Sequence, residues 1–257
     1  MIMAGIETLG TVVDNHLIGP DVYRMELAVP EIAAAAQPGT FVHLQLTGGS
    51  SHILRRPFGV AGADLKRGTI TVIYRLVGEG TRLMAALPNG SILSCLGPLG
   101  RGFTLTDKPA VLIGGGTGMA PLLFLADRLA GCNTTVIVGG KTASEVFWTD
   151  WLSQGRILAT TDDGTAGHKG FAVDILAEAI QAAGASMVYA CGPQIMMEKA
   201  AAIAAECGCS CEVSLESYMG CGTGGCLGCV VDGRDGKRYK VCHDGPVFPA
   251  EEVFFHA

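Results

Sequence analysis

Four cysteines constrain this chain more than any other feature. Cys221, Cys226 and Cys229 are separated by four and then two residues, and Cys242 follows after twelve more. This C-x4-C-x2-C…C spacing is that of a plant-type [2Fe–2S] site. Three ligands in one tight loop can wrap a compact cluster. The fourth returns from a hairpin, with Asp232-Gly233 or Asp235-Gly236 as its turn. Gly220, Gly222, Gly224, Gly225 and Gly228 fill the loop. Their small size lets backbone N–H groups point at sulfur, which tunes the potential. Structural zinc is the alternative, although zinc usually takes its ligands as two close pairs. The segment from about Cys211 onward is too short for a large core of its own, and a metal centre would hold it together.

The remaining cysteines call for plainer readings. The chain has 10 in all, clustered toward the C-terminus, and Met1 to Gly10 lacks the basic-then-apolar pattern of a secretory leader. Reduced thiols and a cytoplasmic protein are expected. Cys95, Cys132 and Cys191 read as small core or ligand-loop residues. Cys207, Cys209 and Cys211 form C-x-C-x-C; core or surface thiols are favoured there over a second metal site. No apolar run reaches the ~18 residues that span a bilayer. A net charge of −6, with no run of Lys or Arg, argues against nucleic acid as a partner.

At 257 residues the chain is long enough for about two domains, and 49% hydrophobic residues support a sizeable core. Residues 1–103 read as short strands. Residues 69–74 are β-rich, 41–46 alternate with period two, and Gly or Pro separates the runs. A small antiparallel barrel is expected, with one short helix over 81–87 stopped by Pro88-Asn89-Gly90. From 104 to 210 the pattern changes. Apolar strands at 111–113, 136–138, 157–159 and 187–189 alternate with helices over 121–129, 173–182 and 194–206. That alternation implies a parallel α/β domain. Residues 211–257 form the small cysteine-bearing domain.

Two anion-binding constellations lie in the first two domains. In the barrel, Arg56-Pro57-Phe58-Gly59 follows a strand-like stretch, and an arginine can make a forked contact with a pyrophosphate. Arg55 can play that role instead. Tyr74-Arg75-Leu76 ends a β-run, and Gly80-Thr81 opens the short helix, as an anion site or an ordinary cap. In the α/β domain, the glycine turn carrying Gly114, Gly116, Thr117 and Gly118 joins a buried strand to a helix. It brings a pyrophosphate to a helix N-terminus, or is simply a tight βα turn. Cys191-Gly192-Pro193 stands at a second strand end. Asp162 and Asp163, after a third, can bond ribose hydroxyls or serve a turn.

Arg56 to Gly59 resembles the R-x-[FY]-[ST] flavin motif of ferredoxin-reductase-like flavoproteins, departing from it at Gly59, where the family has Ser or Thr. There a backbone N–H would have to replace the side chain. Cys191-Gly192-Pro193 is similar to the C-G-P motif that lies beside the nicotinamide in that family. The whole chain resembles the electron-transfer subunits of NAD-linked, class 1B dihydroorotate dehydrogenases. Leu54 to Gly59, Leu96 to Gly100, Thr161 to Gly164, Cys191 to Pro193 and Glu216 to Cys242 carry the match. The resemblance implies FAD on the barrel, NAD on the α/β domain and a [2Fe–2S] cluster. It also implies an FMN-containing catalytic subunit as partner, two copies of each chain, and electron flow from FMN through cluster and FAD to NAD. Hydride transfer between cofactors depends on orientation, so no catalytic acid or base is expected. None of His16, His43, His52, His168, His243 and His256 has an evident carboxylate partner. Asp162-Asp163 disfavours a 2′-phosphate and so favours NAD over NADP, while Lys141, in the loop after the second α/β strand, can serve either. Related sulfide dehydrogenase or NAD(P)H–ferredoxin reductase subunits are the alternative. They often replace one cluster cysteine with Asp, whereas all four are Cys here.

Overall fold

The computed structural model describes residues 5–46 and 53–254. Strands β1 (Ile6–Gly19), β2 (Val22–Ala28), β3 (Phe41–Gln45), β4 (Arg56–Asp64), β5 (Thr69–Arg75) and β6 (Ile92–Leu99) form a closed antiparallel barrel in the order β1-β2-β5-β4-β3-β6. Closure leaves no strand edge unpaired. Alternating side chains fill its interior, among them Met25, Leu27, Val42, Leu44, Ile70 and Val72. Each fully buried aliphatic side chain contributes roughly 1.5–3 kcal/mol. Two short helices flank the barrel, α1 (Pro30–Ala35) and α2 (Glu79–Ala85). The sequence pattern does not reveal α1; Pro30 starts it, its fixed φ suiting a first helical turn.

The second half alternates β7 (Ala110–Gly115), α3 (Met119–Arg128), β8 (Thr134–Gly140), β9 (Arg156–Thr161), β10 (His168–Lys169), α4 (Leu176–Ala183), β11 (Met187–Cys191), α5 (Gln194–Glu206) and β12 (Ser210–Ser214). Then come β13 (Val230–Asp232), β14 (Arg238–Lys240), β15 (Val247–Pro249) and α6 (Ala250–Val253). The main sheet has seven strands in the order β10-β9-β8-β7-β11-β12-β15, parallel except where β15 pairs with β12. Val111 and Ile113 of β7 face α4 and α5, while Ala110 and Leu112 face α3 and the buried Trp148. Helix 194–206 stands where the periodicity puts it. The helix expected over 173–182 is instead a 3-10 turn, Ala172–Ile175, followed by α4; it ends at Gly184, whose φ of +61° forms a left-handed cap. Helix α2 starts two residues before the expected 81, because the Thr81 hydroxyl turns back onto Gly78 and caps the first turn.

Two contacts place the sites. Phe124 of α3 belongs to the barrel's hydrophobic cluster, and Pro121 stands beside Gly59 of β4, so α3 seats the parallel sheet on the flavin-motif strand. The C-terminal segment threads back: β12 and β15 extend the main sheet, and only β13–β14 forms a separate hairpin. Cys229 and Cys242 share a buried cluster with Phe41 and Leu99 of the barrel and Phe248 of β15.

Candidate functional site

On the barrel, Arg56 reaches across to the start of α2. Its guanidinium lies on Gly80, where a β-carbon would fall 2.2 Å from Nε, so a larger residue there would push the arginine aside. Arg55 is spent differently: it donates to the Ser94 carbonyl at 3.1 Å and to Ser94 Oγ at 2.9 Å, and it pairs with Glu7. The Thr81 hydroxyl accepts from the N–H groups of Val77 (3.0 Å) and Gly78 (3.2 Å), so it organises its own turn. Tyr74 is buried, donates to Asn15 Oδ1 at 2.9 Å and meets Phe58 edge-on with centroids 5.7 Å apart. Burial raises its phenol well above the usual range. Pro57, Phe58, Gly59, Tyr74, Arg75 and Thr81 line one cavity of about 310 Å³; Leu76 stands just outside it, its N–H donating to the Asp21 carbonyl at 2.8 Å.

The glycine turn forms the floor of a neighbouring cleft of about 770 Å³, which Gly116, Thr117, Gly118, Gly192 and Pro193 line. Gly116 takes φ +56°, and a β-carbon on Gly118 would fall 2.4 Å from the Cys191 carbonyl oxygen. The two loops at the carboxyl ends of β7 and β11 therefore touch backbone to backbone, which side chains would prevent. Gly114 is buried against Met119 under the turn. A third cavity, of about 470 Å³, continues past Gly116 and Pro193 to Lys141, Asp162 and Lys199. The adjacent carboxylates divide. Asp163 accepts from Thr165 N (2.9 Å) and Oγ1 (2.6 Å), which lowers its pKa and ties it to the turn, while Asp162 faces the cavity.

The cavities adjoin one another. Arg75, Thr117, Leu215 and Glu216 line both of the first two, and Arg75 lines all three. Glu216 escapes the sequence reasoning. It lies just past the carboxyl end of β12, where ligands gather in open α/β sheets, but the sequence does not show β12 joining that sheet. Its side chain is exposed at the cleft, where crowding by the surrounding protein raises its pKa. Cys191 is pushed up to about 12 by burial and by the nearby Glu216, so it is a thiol and not a nucleophile.

The four cysteines fall into two pairs. Cys221 meets Cys226, and Cys229 meets Cys242. Among the described residues, no three ligands converge tightly enough for a single ion. Two pairs suit a cluster in which each of two irons takes two thiolates. Backbone donors already address the sulfurs. Thr223 and Cys226 N–H groups each donate to Cys221 Sγ at 3.4 Å, Gly224 N–H to Cys242 Sγ at 3.2 Å, and Cys242 N–H to Cys229 Sγ at 3.4 Å. Burial opposes ionisation of Cys221, but those two donors outweigh it and bring the thiol down to about 6. Cys242 is pushed up to about 12 by burial and by its neighbour Cys229. The hairpin turn runs over 233–237, with Gly236 at φ +76°.

The histidine expectation needs correction. His16 Nδ1 lies 2.7 Å from Asp14 on the same strand, β1, and His243 Nδ1 lies 2.8 Å from Asp244, so near neighbours do supply carboxylates. His43 has none and is fully buried. His52 and His256 lie outside the described residues.

Residues 216–254 match the family described as the iron-sulfur cluster binding domain of dihydroorotate dehydrogenase B. The chain is 38% identical to the "dihydroorotate dehydrogenase B (NAD(+)), electron transfer subunit" of Geobacillus thermodenitrificans, over 98% of this chain and 99% of the relative. It is 35% identical to the protein of that description in Desulforamulus reducens, over 93% and 94% of the two chains. Among solved structures, an NADH-dependent reduced ferredoxin-NADP oxidoreductase superposes with a TM-score of 0.86 at 31% identity, covering 96% of this chain and 90% of the other. A ferredoxin NADP+ reductase from Neisseria gonorrhoeae shares the fold alone, with a TM-score of 0.64 at 19% identity, over 79% and 92%. This chain belongs to the family of electron transfer subunits of the NAD(+)-type dihydroorotate dehydrogenase B.

Proposed function

We propose that this chain is the NAD-linked electron relay of a two-component dihydroorotate dehydrogenase in pyrimidine biosynthesis. It takes electrons from an FMN-containing partner that oxidises dihydroorotate and delivers them to NAD. The observation that carries this reading is the pair of adjoining cavities. Their flavin-motif wall and nicotinamide-loop wall share Arg75, Thr117, Leu215 and Glu216, with the paired cysteines one segment away. When bound, FAD and a [2Fe–2S] cluster supply the conversion between one-electron transfer and hydride transfer.

The chain's own residues bind and orient. Arg56, seated on Gly80, presents forked donors suited to a pyrophosphate. Tyr74, fixed by Asn15, and Phe58 form the flavin wall. Gly116 and Gly118 let a second pyrophosphate approach the start of α3, while Cys191, Gly192, Pro193 and Glu216 border the nicotinamide end. No general acid or base is required, because holding two rings in contact is the main task. Cys221, Cys226, Cys229 and Cys242 hold the cluster.

The partner would dock over the cluster loop. Tyr218 is 97% and Leu227 65% exposed beside it, with Met219 partly buried. Leu227 also holds φ +60°, a conformation costing roughly 1–2 kcal/mol for such a residue. A strained apolar side chain turned outward suits an interface. Two copies of each subunit are proposed, in the cytoplasm; no helix among the described residues is long and apolar enough to cross a membrane. The structural likeness to the NADH-dependent reduced ferredoxin-NADP oxidoreductase supports a second reading, a reductase subunit with ferredoxin as the electron carrier. Orotate assays separate the two. The isolated chain should reduce artificial acceptors with NADH and form no orotate, and orotate should appear when the native partner is added. Orotate formation by the chain alone, or none in the reconstituted complex, would overturn the proposal.

A further inference from the structure

His43 is a buried imidazole to which nothing in the hydrogen-bonding of the protein gives a role. It lies on β3, directly opposite Pro57 of the flavin motif, with no exposed surface. Neighbouring Val42 and Leu44 point into the barrel, so Phe41 and His43 point out of it, toward the cysteine segment. The ring meets Phe41 at 5.7 Å. Neither Nδ1 nor Nε2 has a hydrogen-bond partner among the described residues. A neutral imidazole always carries one N–H, and leaving such a donor buried and unpaired costs roughly 1–3 kcal/mol.

The face of the ring lies flat against the cluster loop, with both nitrogens in the plane beneath it. A β-carbon on Gly222, the residue after Cys221, would fall 2.7 Å from Cε1, 2.8 Å from Nδ1 and 3.1 Å from Nε2. Gly222 holds φ +71°, so the absence of a side chain there both permits the turn and admits the ring. Around the same loop, the N–H groups of Thr223, Gly224 and Cys226 are aimed at cysteine sulfur. The surroundings are built to donate to sulfur.

We propose that His43 donates its ring N–H to a sulfur of the [2Fe–2S] cluster, anchoring it against the flavin strand and raising its reduction potential. A donor at sulfur stabilises the more negative, reduced cluster, and hydrogen bonds to sulfur are among the protein's main controls on potential. His43 is thus a positioning residue whose strand pairs with the flavin motif and whose ring touches the cluster loop. The inference rests on the cluster reading of the four cysteines.

The test uses the full chain, labelled with ring-15N histidine, its cluster reduced with dithionite. Iron and sulfide analysis first checks the cluster reading alone: zinc without iron rejects that reading and this inference with it. With two irons present, pulsed EPR should show a weakly coupled 15N. The His243 ring also packs on the loop, at Gly224, so the signal must survive His243→Asn and vanish in His43→Leu. No coupling in the wild-type protein, or its loss in His243→Asn, overturns the inference even if His43→Leu fails to assemble. Where His43→Leu does assemble, one-electron reduction of its cluster should become roughly tenfold less favourable, ~59 mV, while His43→Gln or His43→Asn, which keep an N–H, restore much of the difference. An unchanged potential in His43→Leu counts equally against it.

Discussion

The guanidinium of Arg56 rests on the backbone of Gly80, with Nε, Cζ and Nη2 all within 2.6 Å of where a β-carbon would stand. Gly80→Ala therefore sets two effects against each other. Alanine within a helix is worth roughly 0.5–1 kcal/mol over glycine, so a purely structural position would gain stability. If Gly80 seats the flavin arginine, FAD affinity should instead fall by at least about tenfold, ~1.4 kcal/mol, with the barrel's circular dichroism intact. Flavin fluorescence titration of the apoprotein reads the difference.

Replacing Cys226 by Ser should remove the cluster and leave flavin binding. Cys226 is exposed, pairs with Cys221 and belongs to a loop with little core of its own, whereas the barrel has a separate interior. Loss of iron and of the cluster's visible bands, with FAD retained, is the expected outcome. Cys95→Ser is the control, because that thiol is buried in the barrel against Gly10 and the Leu93 carbonyl, far from the cysteine loop in sequence. It should keep its iron.

Leu227→Asp tests the docking surface. Leu227 is 65% exposed, so its loss should barely change the chain's melting temperature or its cluster spectrum. Orotate formation with the partner should drop sharply, as a charge placed in an apolar contact is strongly unfavourable. Unchanged activity in the reconstituted complex would remove Leu227 from the interface.

Nucleotide preference should follow Asp162. It lines the cavity beyond Gly116 and Pro193, while Asp163 is held by Thr165. The kcat/KM for NADH should exceed that for NADPH, and Asp162→Asn should narrow the ratio by roughly tenfold, about 1.4 kcal/mol, as one repulsive charge is removed. A wild-type preference for NADPH would reverse the assignment. Gly118→Ala should impair both nucleotides together, since its methyl would meet the Cys191 carbonyl at 2.4 Å.

Cysteine spacing, strand alternation and glycine turns are local properties, and the chain displays them openly. The four-residue and two-residue gaps between Cys221, Cys226 and Cys229 point to a cluster because ligand reach along a short loop is a matter of sequence. The 41–46 alternation and the apolar runs at 111–113 and 187–189 mark barrel and parallel strands because each records which face meets a core. Tertiary structure alone sets the two neighbouring arginines apart. Arg55 and Arg56 are chemically equal in the sequence, and only the positions of Ser94, Glu7 and Gly80 separate their roles. The same holds for Asp162 and Asp163, divided by Thr165, and for Glu216, brought to the cleft when β12 joins the main sheet. His43 is the clearest case. Alternation puts its side chain outside the barrel, but the loop that buries it lies almost 180 residues away, at Gly222. A sequence pattern reports the face a residue presents; what covers that face is fixed by contacts between distant segments, which only folding brings together.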